Sequence, residues 1–277
     1  MTPDQYCQQK AASSGSSFYY SFLFLPPERR RAITALYAFC REVDDVVDET
    51  QEPQIAAAKL AWWRAEVANL VAGNPQHPVT RALHPHLAAF GITGERLNEI
   101  IDGMEMDLTQ TRYLDWSGLE RYCYRVASVV GLLAAAIFGY RDARTLDYAR
   151  ELGIAFQLTN IIRDVGEDAR MNRIYLPMAD LKQFGVPAAD ILQSRETPEF
   201  TRLMRFETQR AKEHYAKAFS ALPACDRKAQ RPGLIMAAIY RSLLDEIERD
   251  GFHVLTQRTS LTPLRKFWIA WKTWITA

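Results

Sequence analysis

The 277-residue sequence has few cysteines and histidines, and neither type is spaced as it is in most metal or disulfide sites. The four cysteines lie far apart and form no Cys-x-x-Cys pair; they are Cys7, Cys40, Cys123 and Cys225. Of the five histidines only His84 and His86 are near neighbours, and Pro85 between them predicts a turn. A disulfide framework and a thiolate zinc site are therefore not expected, and the pattern fits a reducing cytosol.

A large net charge of either sign is also missing. Lys and Arg total 34 against 33 Asp and Glu, which gives a formal charge of +1. Nucleic-acid-binding proteins normally carry a basic excess gathered on one face, so no nucleic-acid partner is expected. Residues 1–4 (MTPD) do not begin a basic region followed by an apolar run. We therefore expect no secretory signal and predict a cytoplasmic location.

No apolar run reaches the length of about 20 residues that a helix needs to span a bilayer. The most apolar segment lies between Arg125 and Arg141 and predicts a helix buried in the core. Many of its residues are small, namely Ala127, Ser128, Gly131, Ala134, Ala135, Ala136 and Gly139. Small residues on a buried helix indicate close helix packing. The alternative is the wall of an apolar channel wide enough for a lipid chain.

Strand-like alternation is scarce, and helical periodicity dominates the chain. Apolar residues make up 48% of the sequence, enough for a sizeable core. Glycine and proline cluster between the periodic segments, at residues 26–27, 73–75, 91–94, 185–187 and 232–233. No linker-like or low-complexity stretch divides the chain. We therefore predict a single all-α domain over residues 1–277.

Residues 27–49 show the pattern of an amphipathic helix, with Pro27 suited to its first turn. An apolar stripe at intervals of three and four consists of Ile33, Leu36, Cys40, Val43 and Val47. A polar set in one narrow sector beside it consists of Tyr37, Arg41, Asp44 and Asp48. The helix is therefore predicted to present two carboxylates, one turn apart, at the edge of the core. Asp45 lies outside the polar set and is expected to be a solvated neighbour.

A second helix repeats this arrangement. Its polar set follows intervals of four, three, four and four and consists of Gly153, Gln157, Asn160, Asp164 and Asp168. Its other sides carry Leu152, Ile154, Phe156, Leu158, Ile161 and Ile162. A helix that is apolar nearly all round is buried. Since buried polar groups need partners and buried charges need counter-ions, this helix predicts a ligand site.

The two acidic helices together indicate a divalent cation. Two aspartates on each helix would repel one another if the helices converged without a cation. Mg²⁺ prefers carboxylate oxygens, water and substrate phosphate, which are the oxygens available here. A single Asp-x-x-x-Asp pair is common on solvated helices and would not predict a site alone. Two copies on strongly apolar helices favour a magnesium site over two solvated faces.

Several stretches resemble one known family. They are residues 17–22 (SFYYSF), 37–41 (YAFCR), 44–48 (DDVVD), 102–107 (DGMEMD), 122–127 (YCYRVA), 157–164 (QLTNIIRD) and 173–177 (RIYLP). Through these stretches the chain resembles the squalene and phytoene synthases along nearly its whole length. One departure occurs at residues 14–17 (SGSS), where many relatives have His-Ser-x-Ser. Ser17 keeps its place, and the contacts of the preceding pair do not carry over.

The resemblance implies an all-α isoprenoid-synthase helical bundle, with a central substrate cavity lined by the two acidic helices. It implies Mg²⁺, with Mn²⁺ as a substitute, bridging to diphosphate. The implied metal ligands are Asp44, Asp48, Asp164, Asp168 and Asn160. By motif position the implied substrate contacts are Ser17, Tyr37, Arg41, Tyr122, Gln157, Asn160, Arg163, Arg173, Tyr240 and Arg258, with Arg170 as a further phosphate partner.

The activity that the resemblance implies is that of a prenyltransferase joining two farnesyl diphosphates head to head. The strongest likeness is to the presqualene diphosphate synthases of bacterial hopanoid pathways, which share an ending like residues 261–266 (LTPLRK). The expected products are presqualene diphosphate and diphosphate, with no NADPH consumed. A separate enzyme of the squalene and hopanoid pathway would take the product.

Several alternatives stay open from the sequence. The chain could be a phytoene, dehydrosqualene or full squalene synthase, or a non-catalytic helical lipid-binding or assembly protein. Intact acidic motifs count against the last, because mere binding needs no paired metal carboxylates. The catalytic base is Tyr37, Tyr122 or the released diphosphate.

The carboxyl-terminal residues 263–277 mix basic residues with three tryptophans, Trp268, Trp271 and Trp274. Indole rings prefer the headgroup region of a bilayer, so this tail is a candidate for peripheral contact with the inner face of the cell membrane. The alternative is a terminal helix that docks on the core.

Overall fold

The computed structural model describes residues 1–13, 21–22, 24–50 and 52–276. Its α-helices are α1 Pro3–Ser13, α2 Pro27–Asp48, α3 Pro53–Val71, α4 Pro78–Leu83, α5 Leu87–Phe90, α6 Gly94–Thr109, α7 Trp116–Cys123, α8 Val129–Phe138, α9 Arg144–Arg170, α10 Met178–Phe184, α11 Ala188–Leu192, α12 Pro198–Ala221, α13 Arg231–Arg249 and α14 Pro263–Thr276. The described residues form no strand beyond one isolated bridge between Arg112 and Ile174. The predicted all-α class is confirmed.

Local signals set the helix boundaries. Proline opens α2 at Pro27, as the sequence predicts, because its missing N–H is not needed in the first turn. The Thr93 hydroxyl caps α6 by accepting from the Arg96 amide at 3.3 Å, and the Thr197 hydroxyl caps α12 by accepting from the Phe200 amide at 3.1 Å. Each cap satisfies a backbone donor that has no partner inside the helix.

The predicted apolar helix is part of a longer one. Helix α7, a π-helical segment Tyr124–Ser128 and helix α8 run on without a break as Trp116–Phe138, called the central helix below. Among the described residues it is the one helix long and apolar enough to cross a membrane. It nevertheless lies inside the protein, packed against α6 and α9. The buried-core interpretation is confirmed.

Close packing against glycines holds the central helix in place. A Cβ atom on Gly153 of α9 would lie 2.5 Å from the Ser128 Cα, and one on Gly103 of α6 would lie 2.7 Å from the Val126 side chain. A Cβ on Gly131 would lie 2.7 Å from the Ala149 carbonyl oxygen. Distances this short leave no room for a side chain, so these glycines bring the helix backbones together.

Two apolar clusters meet at the central helix. The larger is built mainly by α9, α12 and α13, and the smaller by α2, α3 and α6. Tyr124 and Val126 of the central helix pack against both clusters. The carboxyl-terminal helix α14 docks on the larger cluster, with Ala270 buried and the Trp274 ring stacked on Phe24 at 4.9 Å between centroids. A single domain over residues 1–277 stays a prediction.

Candidate active site

A cavity of about 700 Å³ lies between α2, the central helix, α9 and α13. The central helix lines it with Tyr122, Val126, Ala127, Val130, Gly131, Ala134, Ala135 and Phe138. These residues recur at helical intervals and share one face. From Tyr122 to Phe138 the helix rises about 24 Å, at 1.5 Å per residue. The small residues therefore do both things that the sequence suggested as alternatives. They allow close helix packing, and they line an apolar channel.

The cavity changes in polarity from one end to the other. Its apolar end is lined by Phe22, Ala134, Phe138, Tyr148, Leu152 and Met236, among others. Its polar end is lined by the charged residues of α2 and of the second half of α9. The sequence-predicted site residues on this wall are Tyr37, Arg41, Asp44, Asp48, Tyr122, Gln157, Asn160, Arg163, Asp164, Asp168, Arg173, Tyr240 and Arg258. Ser17 lies outside the described residues, and Arg170 is exposed at the end of α9, away from the wall.

Both acidic pairs stand at the carboxyl-terminal ends of their helices. Asp48 is the last residue of α2, and Asp168 lies in the last turn of α9. A helix carboxyl terminus carries partial negative charge from its unpaired carbonyl groups, which favours cations and disfavours carboxylates. Four carboxylates and two such helix ends therefore make this end of the cavity strongly attractive to a cation.

Burial and like charge shift the acidity of two of these groups. Burial, followed by the Asp48 carboxylate, raises the pKa of Asp44 from 3.8 to about 7. Burial, followed by the Asp164 carboxylate, raises the pKa of Asp168 from 3.8 to about 8. The protein groups alone therefore stabilise the ionised form of these two carboxyl groups poorly. A bound cation would stabilise that form and lower both pKa values.

Arginines supply part of the opposing charge. Arg41 donates to Asp44 at 2.5 Å, and Arg163 and Arg258 both donate to Asp164, the latter at 3.0 Å. An arginine after α9, Arg173, lies 3.7 Å from Asp48 of α2 and so links the two acidic helices. Each of these guanidinium groups also lines the cavity, where it can bind phosphate oxygens.

The donor set fits Mg²⁺ shared with a phosphate ligand. In the described part of the chain no three histidine, cysteine or acidic side chains converge closely enough to hold a metal by themselves. Mg²⁺ is commonly bound by one or two carboxylates together with substrate phosphates, which is what separated aspartate pairs can offer. The Asn160 Oδ1 atom is also buried without a hydrogen-bond partner. A buried amide oxygen on the cavity wall is a suitable further ligand.

A second group of polar residues joins Tyr122, which was predicted as a site residue, to Asp107 and Tyr175, which were not. The carboxylate of Asp107, at the end of α6, accepts hydrogen bonds from the Tyr122 hydroxyl at 2.9 Å and the Tyr175 hydroxyl at 2.8 Å. The two phenol rings stack with centroids 5.2 Å apart. Burial raises the pKa of Asp107 to about 6, although both hydroxyl donors oppose the rise. All three side chains line the cavity.

The loop after α9 is braced so that Arg173 and Tyr175 face the cavity. The Ile174 amide donates to the Thr111 carbonyl at 3.0 Å, and the Arg112 guanidinium donates to the Asn172 carbonyl at 2.6 Å. These bonds tie the loop to the segment between α6 and α7. They hold the loop that carries Tyr175 against the segment that follows Asp107 in the chain.

One sequence expectation was wrong. Asp45 is not a solvated neighbour: its side chain is only 14% exposed. It accepts from Lys10 of α1 at 2.7 Å and from Arg41 at 2.5 Å. Asp45 therefore holds α1 against α2 and shares the Arg41 guanidinium with Asp44. Two further charged residues on the wall, Glu167 and Lys266, were also missed.

The helices surround a cavity that is apolar at one end and holds acidic pairs and arginines at the other. This arrangement defines a site for an apolar chain with a phosphorylated end. The model of the squalene/phytoene synthase family matches residues 11–265, and the chain belongs to that family. Members are prenyltransferases that condense isoprenoid diphosphates. The predicted family and enzyme class are confirmed.

Similar proteins of known sequence or structure agree with this assignment. A phytoene synthase from Arthrospira platensis is 36% identical over 273 residues, covering 94% of this chain and 88% of the relative. The crystal structure of a dehydrosqualene synthase in complex with ligand is similar with a TM-score of 0.85 and 28% identity, over 98% of this chain and 95% of that one. The squalene synthase HpnC from Alicyclobacillus acidocaldarius has a TM-score of 0.82 and 29% identity, over 90% and 94%. The predicted isoprenoid-synthase fold is confirmed.

Proposed function

We propose that the protein joins two farnesyl diphosphates head to head and releases presqualene diphosphate and one diphosphate. The observation that carries the proposal is the change of polarity along one cavity. Charged groups that can hold two diphosphates stand at one end, and an apolar chamber stands at the other. An ordinary binding protein for apolar ligands would need the chamber but not the paired carboxylates.

The polar end would hold the diphosphates through a divalent cation and through arginines. Asp44, Asp48, Asp164, Asp168 and Asn160 are the proposed ligands of Mg²⁺, with Mn²⁺ as a substitute. When bound, the cation stabilises negative charge that builds on the leaving oxygen. The proposed partners of the phosphate oxygens and substrate are Ser17, Arg41, Gln157, Arg163, Arg173, Tyr240 and Arg258. Arginine suits this role because its planar fork binds phosphate in a bidentate manner.

The apolar end would protect the cationic intermediate. Breaking the allylic carbon–oxygen bond leaves a carbocation, which water would quench. A deep apolar cavity excludes water, and the faces of aromatic rings such as Tyr37 and Phe156 stabilise positive charge by about 0.5–2 kcal/mol each. The double bond of the second farnesyl diphosphate then attacks the cation, and loss of a proton closes the cyclopropane ring.

Of the three candidates for the base, Tyr122 has the strongest support. Its hydroxyl proton is already directed at Asp107 at 2.9 Å, so its oxygen can accept a proton from the substrate while it passes its own proton to the carboxylate. Asp107 has a pKa of about 6, between that of an ordinary carboxyl and neutrality. A group in this range accepts a proton more readily than an exposed aspartate does.

The reaction is proposed to end at presqualene diphosphate, without NADPH. This stopping point rests on the likeness of the sequence motifs, including residues 261–266 (LTPLRK), to the presqualene diphosphate synthases of hopanoid pathways. The similarity to the squalene synthase HpnC supports two farnesyl diphosphates as the substrates. A separate enzyme of squalene and hopanoid biosynthesis would take the product, and the protein would work in the cytoplasm.

Phytoene synthesis is a second candidate, because curated relatives from Arthrospira platensis and Synechocystis are phytoene synthases at 36% and 35% identity. The test is to incubate the protein with Mg²⁺ and either farnesyl or geranylgeranyl diphosphate, with and without NADPH, and to identify products by mass. A phosphorylated cyclopropyl C30 product from farnesyl diphosphate in both tubes supports the proposal. Phytoene from the longer substrate reassigns the substrate, and squalene that appears only with NADPH makes this a full squalene synthase. No product from either substrate would contradict the proposal.

A further inference from the structure

Helix α14 carries two apolar faces, of which one is covered. The covered face packs on the larger apolar cluster through Ile269, Ala270 and Trp274. The other face, called the outer stripe, consists of Leu264, Phe267, Trp268, Trp271 and Ile275. Its side chains are between 43% and 84% exposed. Intervals of three, one, three and four place them on one side of the helix over about 17 Å.

The charge of α14 indicates what the outer stripe contacts. The helix contains Arg265, Lys266 and Lys272 and no acidic residue. Lys266 turns toward the cavity and Arg265 pairs with Glu246 of α13, while Lys272 is exposed beside the stripe. Exposed indole rings next to basic side chains on a helix that lies along a surface are typical of binding at the interface of an anionic bilayer. The basic residues of α14, and the lack of acidic ones on it, favour an anionic bilayer over an apolar protein surface.

The helix that carries the outer stripe also forms part of the cavity wall. Leu261, just before α14, and Lys266 on its inner side both line the cavity. Met171, after α9, lines the same polar end and is 53% exposed. A surface that contacted the outer stripe would therefore lie within one helix diameter, about 10 Å, of the cavity wall.

We propose that α14 docks the protein on the surface of an anionic lipid bilayer through the outer stripe, with the polar end of the cavity beside the headgroups. The docking rests on the exposed stripe and its charges, and it goes beyond the proposed reaction. It would place the mouth of the cavity beside the bilayer, so that an apolar chain moves only a short distance between protein and lipid.

Vesicle binding by the full chain tests the docking without any substrate. The probes are vesicles of phosphatidylcholine alone and of phosphatidylcholine mixed with phosphatidylglycerol. The variants are Phe267→Ser/Trp268→Ser, which removes the centre of the outer stripe but keeps the packed face, and Trp62→Ser, which removes a tryptophan of similar exposure from α3. Far-UV circular dichroism and thermal unfolding of each variant show that α14 stays folded.

We expect the wild type and Trp62→Ser to bind the mixed vesicles, with weaker binding to phosphatidylcholine alone. The stripe variant should bind at least tenfold more weakly while it unfolds at the wild-type temperature. Equal binding by the stripe variant, or no vesicle binding by the wild type, would overturn the proposal. A concentration-dependent dimer in analytical ultracentrifugation that the stripe variant loses would instead assign the stripe to a second copy of the chain. These outcomes do not depend on turnover, so a failure of the proposed reaction would leave them interpretable.

Discussion

Replacing Asp168 with asparagine is expected to abolish turnover and, at the same time, to stabilise the protein when no metal is bound. Burial and the nearby Asp164 raise the pKa of Asp168 from 3.8 to about 8. At about 1.36 kcal/mol per unit, this difference sets a ceiling of about 5–6 kcal/mol on what ionisation costs the folded state. Because the polar end of the cavity is open to solvent, which screens charge, we expect about half of that, on the order of 2–3 kcal/mol.

The stabilisation should depend on pH in a defined direction. The folded-state pKa of Asp168 lies above the unfolded one, so its contribution to stability is fully present below about pH 4 and is lost as the pH rises toward about 8. Asparagine does not titrate. The gain of the variant over the wild type should therefore be full at about pH 8.5 and fall to less than about a third of that at about pH 4. A gain of about 2–3 kcal/mol raises the melting temperature by roughly 5–10 °C in a chain of this size.

Thermal unfolding in EDTA, followed by far-UV circular dichroism at both pH values, measures the gain. Asp245→Asn, an exposed aspartate on α13, is the matched control and should change little. Adding Mg²⁺ with inorganic diphosphate should then stabilise the wild type and the control but not Asp168→Asn, because ligand binding to the folded state adds stability. Lower stability of Asp168→Asn at about pH 8.5, or turnover close to wild type, would refute the reasoning.

Three further predictions concern other acidic residues of the protein. Asp48→Asn or Asp164→Asn should lower turnover with Mg²⁺ by more than about 100-fold while circular dichroism shows an intact fold; a folded variant with near wild-type activity would sink the metal assignment. Asp107→Asn should lower kcat by about 10²–10⁴-fold with little change in KM, and adding Tyr122→Phe should cost little more, since the two groups act together; additive losses would contradict the relay. Glu207→Gln should stabilise the protein by up to about 3 kcal/mol at pH above about 7 and by almost nothing near pH 4.5, because burial raises the pKa of Glu207 from 4.5 to about 7; an equal effect at both pH values would count against it.

The acidic helices could be predicted from the sequence because their signal is local. On α2 and α9 the polar residues recur at helical intervals beside apolar ones, and helix geometry alone brings such residues onto one face. Asp44 and Asp168 needed no knowledge of the fold to be recognised. That the two faces converge on one cavity followed only from the family resemblance.

The Asp107 group could not be predicted in the same way. Asp107, Tyr122 and Tyr175 come from α6, α7 and the loop after α9, and only the packed structure brings them together. On its own helix Asp107 has no carboxylate three or four residues before it, so it forms no acidic pair like those of α2 and α9. The prediction for Asp45 was wrong for the same reason. Its partner Lys10 lies 2.7 Å away but belongs to a different helix. Residues whose role depends on distant partners leave no local pattern.

The change of polarity along α9 explains where in the cavity the proposed reaction would occur. On α9 the apolar wall at Leu152 and Phe156 passes within one turn into Gln157 and Asn160, and one turn later into Asp164. The neutral amides therefore lie between the charged and the apolar end of the cavity, which are only about 12 Å apart along the helix from Phe156 to Asp164. The carbon–oxygen bond that breaks joins a diphosphate to an apolar chain. The diphosphate then lies in the charged environment and the chain in the apolar one. The charged end stabilises the leaving group and the apolar end keeps water from the cation, so one continuous helix sets the position at which the bond can break.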